Sequence, residues 1–157
     1  MPSATTPRQI AALPPLQARD QIRARLTSLT DAIAAHPGMR PPTRHPTLYH
    51  IWDFAMRTNY ILSELDNMAA GRALQYPEQI PDYSASGKGT PDPAQAWEHF
   101  SDAGCRCTLI ELMLCHPNRA MMAAMGLQDM DFGEELKGKA REVVEAVKGL
   151  ERSVLGT

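Results

Sequence analysis

Several features are scarce in this chain of 157 residues, and cysteine is the first of them. The three cysteines, Cys105, Cys107 and Cys115, all fall within one short segment. An odd number of clustered cysteines is a poor framework for disulfide bonds, so we expect reduced thiols and a cytoplasmic location. On a helix the side chains of Cys105 and Cys107 point about 200° apart, which favours small buried thiols over a shared metal or redox site.

The chain also lacks a large excess of charge of either sign, and it lacks long apolar runs. The formal net charge is −2, which gives no strong field for binding nucleic acid or an anionic membrane surface. No apolar stretch approaches the ~20 residues that span a bilayer, and the segment before Leu16 has no signal-peptide pattern. We therefore expect no nucleic-acid partner and no association with a membrane.

Sequence motifs of high specificity are also absent. The chain contains no HExxH, CxxCH, P-loop or GxSxG pattern, and no carboxylate combined with an ExxH pair. The familiar signatures of metalloproteases, haem attachment, nucleotide binding and serine hydrolases are thereby excluded. Function must be inferred from the positions of single polar residues on the predicted helices.

Hydrophobic periodicity of about 3.6 residues runs through most of the chain and predicts an all-α protein. We predict main helices over about 16–36, 47–70, 93–115 and 132–154, with a short helical turn over 118–125. Four main helices of this length indicate a four-helix bundle. The loop of roughly twenty residues between the second and third helices, 71–92, is far longer than the median connection. Residues 1–15 predict a flexible arm before a single domain over 16–157.

A carboxylate falls in the middle of the apolar face of the predicted third helix. At 100° per residue, Glu111 lies near the centre of an arc of about 120°. The same arc holds Trp97, Phe100, Gly104, Cys107, Thr108, Leu114 and Cys115. A lone buried charge costs several kcal/mol or more, so Glu111 is our candidate catalytic residue, as a general acid or base or as a metal ligand. The alternatives are a structural carboxylate satisfied by Thr58, Thr108 or an arginine of another helix, and a helix rotated enough to bring Glu111 to the rim of the core.

Two histidines are candidate metal ligands. His50 lies at the start of the second helix, on the border between its polar and apolar faces. If the second and third helices run antiparallel, His50 lies near His116, and the two can share one divalent metal ion with Glu111. If the helices run parallel, His50 approaches Glu98, His99 and Asp102 instead, and Glu111 lies at the other end. The sequence does not decide between these arrangements.

A group of apolar residues predicts a binding pocket. Flexible methionines suit a surface that adapts to different apolar partners, and five of them fall between Met113 and Met130. The leading hypothesis is a small-molecule-binding bundle for an apolar or amphipathic ligand, and an enzyme if Glu111 takes part in acid–base or metal chemistry. The candidate ligand-binding residues are Trp52, Thr58, Trp97, Cys107, Met121 and Met125. The alternative is a non-catalytic protein-interaction module or homodimer that uses the Met-rich region 121–130, unless these methionines only fill gaps after Pro117.

One segment resembles a known family. Residues 48–55, with the sequence LYHIWDFA, resemble the second helix of the DinB superfamily of metal-binding four-helix bundles, in which this histidine is a metal ligand. The chain length and the long middle loop are also similar to that family. The resemblance implies a metal site at His50 and hydrolase or thiol-transferase chemistry. Family members complete the site with an HxxxH pair near the C-terminus, and because residues 132–154 contain no histidine, His50 alone carries over.

Overall fold

The computed structural model describes residues 16–41, 44–76, 96–128 and 130–155. Within these ranges the chain is an all-α bundle, as the sequence predicts, and no strand is present. The helices are α1 (Leu16–Ala35), α2 (Pro46–Ala69), α3 (Ala96–Cys115), α4 (Arg119–Ala124) and α5 (Glu134–Leu155), with one 3₁₀ turn at Pro37–Met39. The predicted arm 1–15 and most of the predicted loop 71–92 lie outside the described residues. None of the described helices combines the length and apolar character needed to cross a bilayer.

The four long helices form a ring in which α1 packs on α2, α2 on α3, α3 on α5 and α5 on α1. The end of α1 lies beside the start of α5, where the His36 ring is 3.0 Å from the Phe132 carbonyl oxygen. The end of α3 lies there too, since the Cys115 thiol donates to the Lys137 carbonyl at 3.4 Å. Helix α5 is therefore antiparallel to both α1 and α3.

The direction of α2 follows from its contacts with α1. Near the start of α1, Arg23 donates a hydrogen bond to Asp66, which lies close to the end of α2. One turn further along α1, the Thr27 hydroxyl accepts a hydrogen bond from Asn59, which lies two turns before Asp66 on α2. The two helices are therefore antiparallel, and because α1 and α3 run in the same direction, α2 and α3 are antiparallel as well. This is the first of the two arrangements that the sequence left open.

Every long helix contributes a row of buried side chains to one core. The helical periodicity of the sequence is confirmed in α1 and α5, where apolar residues at spacings of three and four are buried. In α1 they are Ile22, Leu26, Leu29 and Ile33, and in α5 they are Leu136, Ala140, Val143 and Val147. Burying one large aliphatic side chain is worth roughly 1.5–3 kcal/mol, so this core supplies most of the drive to fold.

The short helix α4 begins and ends as its sequence indicates. Asn118 is its N-cap, and the side-chain oxygen accepts from the Met121 N–H at 3.1 Å. Gly126 follows the helix with φ of +72°, a left-handed conformation that glycine adopts without strain. Met122 is fully buried, so α4 closes one end of the core.

Asp131 and Glu134 have the spacing of a capping box, but Asp131 does not cap α5. The helix begins at Glu134, and it is the Gly133 carbonyl that accepts from the Lys137 N–H at 3.3 Å. Asp131 instead accepts from the Gly133 N–H at 2.8 Å and pairs with the Lys137 ammonium at 3.0 Å. Asp131 therefore fixes the turn that leads into α5.

Candidate functional site

Glu111 lies at the rim of the core and not at its centre. The buried row of α3 runs through Ala103, Cys107, Ile110 and Leu114. This row is about 60° around the helix from Glu111, which is half-buried, and Thr108 beside it is exposed. The expected position of Glu111 at the centre of the buried face was wrong. The face of α3 that packs against α2 and α5 is centred on the row that contains Ile110, and Glu111 lies at the edge of that face.

The surroundings of Glu111 are those of the seam between α3 and α5. Burial raises the pKa of the Cys115 thiol above its usual value, the charge of Arg141 opposes this rise, and the charge of Glu111 adds to it. Glu111 thus shares its neighbourhood with a thiol and with the basic side chains Arg141 and Lys137 of α5. Its role as a catalytic residue stays a prediction.

The two candidate metal ligands are both exposed. The ring of His50 stacks on Phe54 with 6.4 Å between the ring centres, and His116 follows the end of α3. Although α2 and α3 are antiparallel, no three His, Cys, Asp or Glu side chains come together as a metal site in the described part of the chain. The structure does not gather His50, Glu111 and His116 into one site.

The candidate ligand-binding residues are core residues or lie against the core. Thr58 and Cys107 are buried, and the Thr58 hydroxyl donates to the Phe54 carbonyl of its own helix at 2.8 Å. Trp52, Met121 and Met125 are half-buried and pack against the core. The side chain of Trp97 lies outside the described residues. Two surface pockets, of about 150 and 210 Å³, are lined by other residues.

The deeply buried carboxylates among the described residues belong to α2, not α3. Glu64 is fully buried, although it lies on the same face of α2 as the polar residues Asp53, Arg57 and Tyr60. Its carboxylate accepts from the Asn67 amide at 2.8 Å, the Gln75 N–H at 3.0 Å and the Tyr76 N–H at 2.8 Å. These bonds fold the chain after α2 back over the helix, and that chain covers Glu64. No periodicity within α2 could have indicated this.

Asp66 is the second buried carboxylate, and it meets two arginines of α1. Its oxygens are 2.8 Å from Arg19 and 3.0 Å from Arg23. We call these three residues the Arg19 cluster. Burial raises the pKa of Asp66 above its usual value, while the charges of Arg19 and Arg23 act in the opposite direction.

The sequence did carry a sign of the Arg19 cluster, which our sequence reasoning missed. Arg19 precedes Ile22 by three positions and Leu26 by seven, so it lies on the buried row of α1. Asp66 follows Leu62 by four positions on the buried row of α2. Opposite charges on the buried rows of two consecutive antiparallel helices indicate a buried ion pair.

Hydrogen bonding within the Arg19 cluster is incomplete. Arg19 is 7% exposed, yet its Nε and Nη1 atoms are buried and form no hydrogen bond, and Arg23 Nε is in the same state. Arg19 Nη1 and Asp66 Oδ1 form an ion pair at 2.8 Å without hydrogen-bond geometry, so Asp66 Oδ1 is also buried without a hydrogen-bond donor. Arg23 has a further partner in the exposed Asp20, at 3.5 Å, so Arg19 is the less satisfied guanidinium.

Comparison with known proteins adds no relative from which a function could be transferred. Neither the protein-family models, nor the curated proteins, nor the solved structures include a match to this chain.

Proposed function

We propose that this protein is a small-molecule-binding helical bundle and that its ligand carries an oxyanion, such as a carboxylate or a phosphate, which binds at the Arg19 cluster. The observation that carries the proposal is the buried Arg19 guanidinium, whose Nε has no hydrogen-bond acceptor and whose Nη1 contacts Asp66 without hydrogen-bond geometry. The proposal keeps the ligand-binding class indicated by the sequence and places the site between the start of α1 and the end of α2.

A buried Arg19 donor without an acceptor is costly to the folded state. Leaving a buried polar group without a partner costs about 1–3 kcal/mol, and more for a charged group. Asp66 is a single carboxylate between two guanidinium groups, so it cannot satisfy every donor of both. An oxyanion is the complementary group because guanidinium donors and carboxylate or phosphate acceptors form strong, charge-assisted hydrogen bonds.

The remaining parts of the proposal come from the sequence. A cytoplasmic location fits the three free cysteines of α3. An apolar or amphipathic body for the ligand fits the apolar composition of the bundle. Metal chemistry of the DinB type at His50 stays a prediction from the resemblance and is not needed for binding at the Arg19 cluster.

A thermal-shift titration with inorganic phosphate and with acetate, at constant ionic strength, tests the proposal. A ligand that binds only the folded state stabilises it by about 2.7 kcal/mol when present at a hundred times its Kd. We expect either anion to raise the Tm of the wild-type protein and to have no effect on Arg19→Gln. Arg57→Gln is the matched control, because Arg57 is exposed and pairs with Asp53 on the surface of α2.

The outcomes separate binding at the cluster from general effects of salt. An equal rise of Tm in wild type, Arg19→Gln and Arg57→Gln would place the anion elsewhere and overturn the proposal, as would no rise in the wild type. If Arg19→Gln does not fold, Arg19→Lys keeps the charge but loses the Nε donor. We then expect an anion affinity at least ~10-fold weaker, which is about 1.4 kcal/mol.

A further inference from the structure

The opposite end of the bundle from the Arg19 cluster carries two adjacent surfaces of opposite charge. Here α1 and α3 end and α2 and α5 begin. The chain between α1 and α2 contacts the start of α5: the ring of His45 lies edge-on to that of Phe132, with 5.3 Å between ring centres. Glu135 lines the same pocket of about 150 Å³ as His36 and Pro37. Basic and acidic segments are therefore neighbours on this surface.

The basic segment lies before and within the start of α2. No aspartate or glutamate occurs between Asp31 and Asp53, while Arg40 and Arg44 are both exposed. The guanidinium carbon of Arg44 lies 4.8 Å from the ring centre of Tyr49, which holds that ring in place on the surface. We call Arg40, Arg44 and Tyr49 the basic surface.

The acidic segment is the start of α5. Asp131, Glu134 and Glu135 are all exposed, and we call them the acidic surface. Lys137 pairs with Asp131 at 3.0 Å and with Glu134 at 3.4 Å, which offsets part of that charge. No ion pair of this kind involves Glu135 among the described residues, so it is the strongest candidate to meet a cation of another molecule.

Exposed apolar side chains lie beside both surfaces. Tyr49 is 38% exposed and Met130 is 39% exposed. The chain around Met130 runs along the start of α2, since Gln128 N–H donates to the Thr47 hydroxyl oxygen at 3.0 Å and Phe132 meets His45. A partner that covers this end would bury the Tyr49 and Met130 side chains between the basic surface and the acidic surface. Aromatic and methionine side chains surrounded by charged residues are typical of protein–protein interfaces.

We propose that a second copy of this chain binds here in a two-fold symmetric dimer, with the basic surface of each copy against the acidic surface of the other. Two neighbouring patches of opposite charge become self-complementary when a two-fold axis passes between them. Arg40 then faces Glu135 of the second copy, and this contact occurs twice. Tyr49 and Met130 lie between the two charged contacts and lose their exposure to water.

Charge reversal followed by mixing tests this dimer. Arg40→Glu places a glutamate opposite Glu135 at both contacts, and Glu135→Arg places an arginine opposite Arg40 at both, so each variant alone sets like charges against each other twice. A mixture of the two variants restores two attractive contacts in a heterodimer. Sedimentation velocity over a wide range of protein concentration measures the association of wild type, of each variant and of the equimolar mixture.

We expect wild type to dimerise, each variant alone to dimerise at least ~10-fold more weakly, and the mixture to return to within about threefold of wild type. Added salt should weaken the wild-type dimer because the contacts are exposed. Glu145→Arg is the control, since this exposed glutamate lies ten residues further along α5, about 15 Å from Glu135. A wild type that stays monomeric at every concentration, or variants whose mixture associates no better than each alone, would overturn the proposal.

Discussion

Arg19 of α1 and Asp66 of α2 place opposite charges in contact between the buried rows of two antiparallel helices. Their side chains are 8% and 5% exposed, and Arg19 Nη1 lies 2.8 Å from Asp66 Oδ1. A buried pair is weak support for stability by itself, because desolvation offsets much of the attraction. The loss of one partner is far more costly, since it leaves the other charge buried alone.

The first prediction concerns this pair. Asp66→Ala should lower the free energy of unfolding by about 3–5 kcal/mol, because Arg19 then stays buried without a carboxylate. The double variant Arg19→Met with Asp66→Leu should lose less than Asp66→Ala, because both charges leave the interior. Urea unfolding of wild type and the two variants measures these differences.

The matched control is the surface ion pair of Asp53 and Arg57, whose charged atoms are 2.9 Å apart. Their side chains are 40% and 55% exposed. Asp53→Ala should cost between 0 and about 1 kcal/mol, as is usual for exposed pairs. If Asp66→Ala costs no more than Asp53→Ala, the buried pair has no special importance.

The second prediction compares two glutamates of different burial. Glu64→Ala should lower the free energy of unfolding by about 2–4 kcal/mol, because the Gln75 and Tyr76 N–H groups lose their common acceptor. Glu111→Ala should cost less than about 1 kcal/mol, because Glu111 is half-buried at the rim. Chemical denaturation of both variants measures the difference. If Glu111→Ala lowers the free energy of unfolding more than Glu64→Ala does, Glu111 lies in the core and the rim position is wrong.

The third prediction concerns pH and the turn before α5. The Gly133 N–H, and after it the Lys137 ammonium, hold the pKa of Asp131 below its usual value. A carboxyl with a lowered pKa in the folded state stabilises that state above its unfolded pKa, near 3.9, and the contribution is lost as the pH falls through the folded value. The Tm of Asp131→Asn should therefore lie below that of wild type at neutral pH, and the gap should close in acid.

Lys137→Met provides the control for this third prediction. In the Lys137→Met background, the pH-dependent gap in Tm caused by Asp131→Asn should be narrower but still present, because the Gly133 N–H contact at 2.8 Å remains. Thermal unfolding between neutral pH and about pH 2 measures the gap in both backgrounds, the lower limit lying well below the unfolded pKa. A gap that is constant over this range would show that ionisation of Asp131 is not the cause.

The sequence by itself determined the helices and their buried rows. The hydrophobic period of α1 and α5, the asparagine cap of α4 and the glycine after it are local features, and each depends on residues within one or two turns of helix. For that reason the predicted limits of α1, α2 and α5 agree with the structure to within two residues. The roles of His50, His116 and the other candidate site residues stay predictions.

Tertiary structure decided everything that depends on residues far apart in the chain. The antiparallel order of α2 and α3 follows from contacts around the whole ring, and the burial of Glu64 depends on Gln75 and Tyr76, which fold back over α2. Glu111 lies at the rim because a rotation of α3 by about 60°, less than one residue's step around the helix, moves a side chain between core and surface. Periodicity fixes which residues share a face of a helix, whereas only packing against neighbouring helices fixes where that face points.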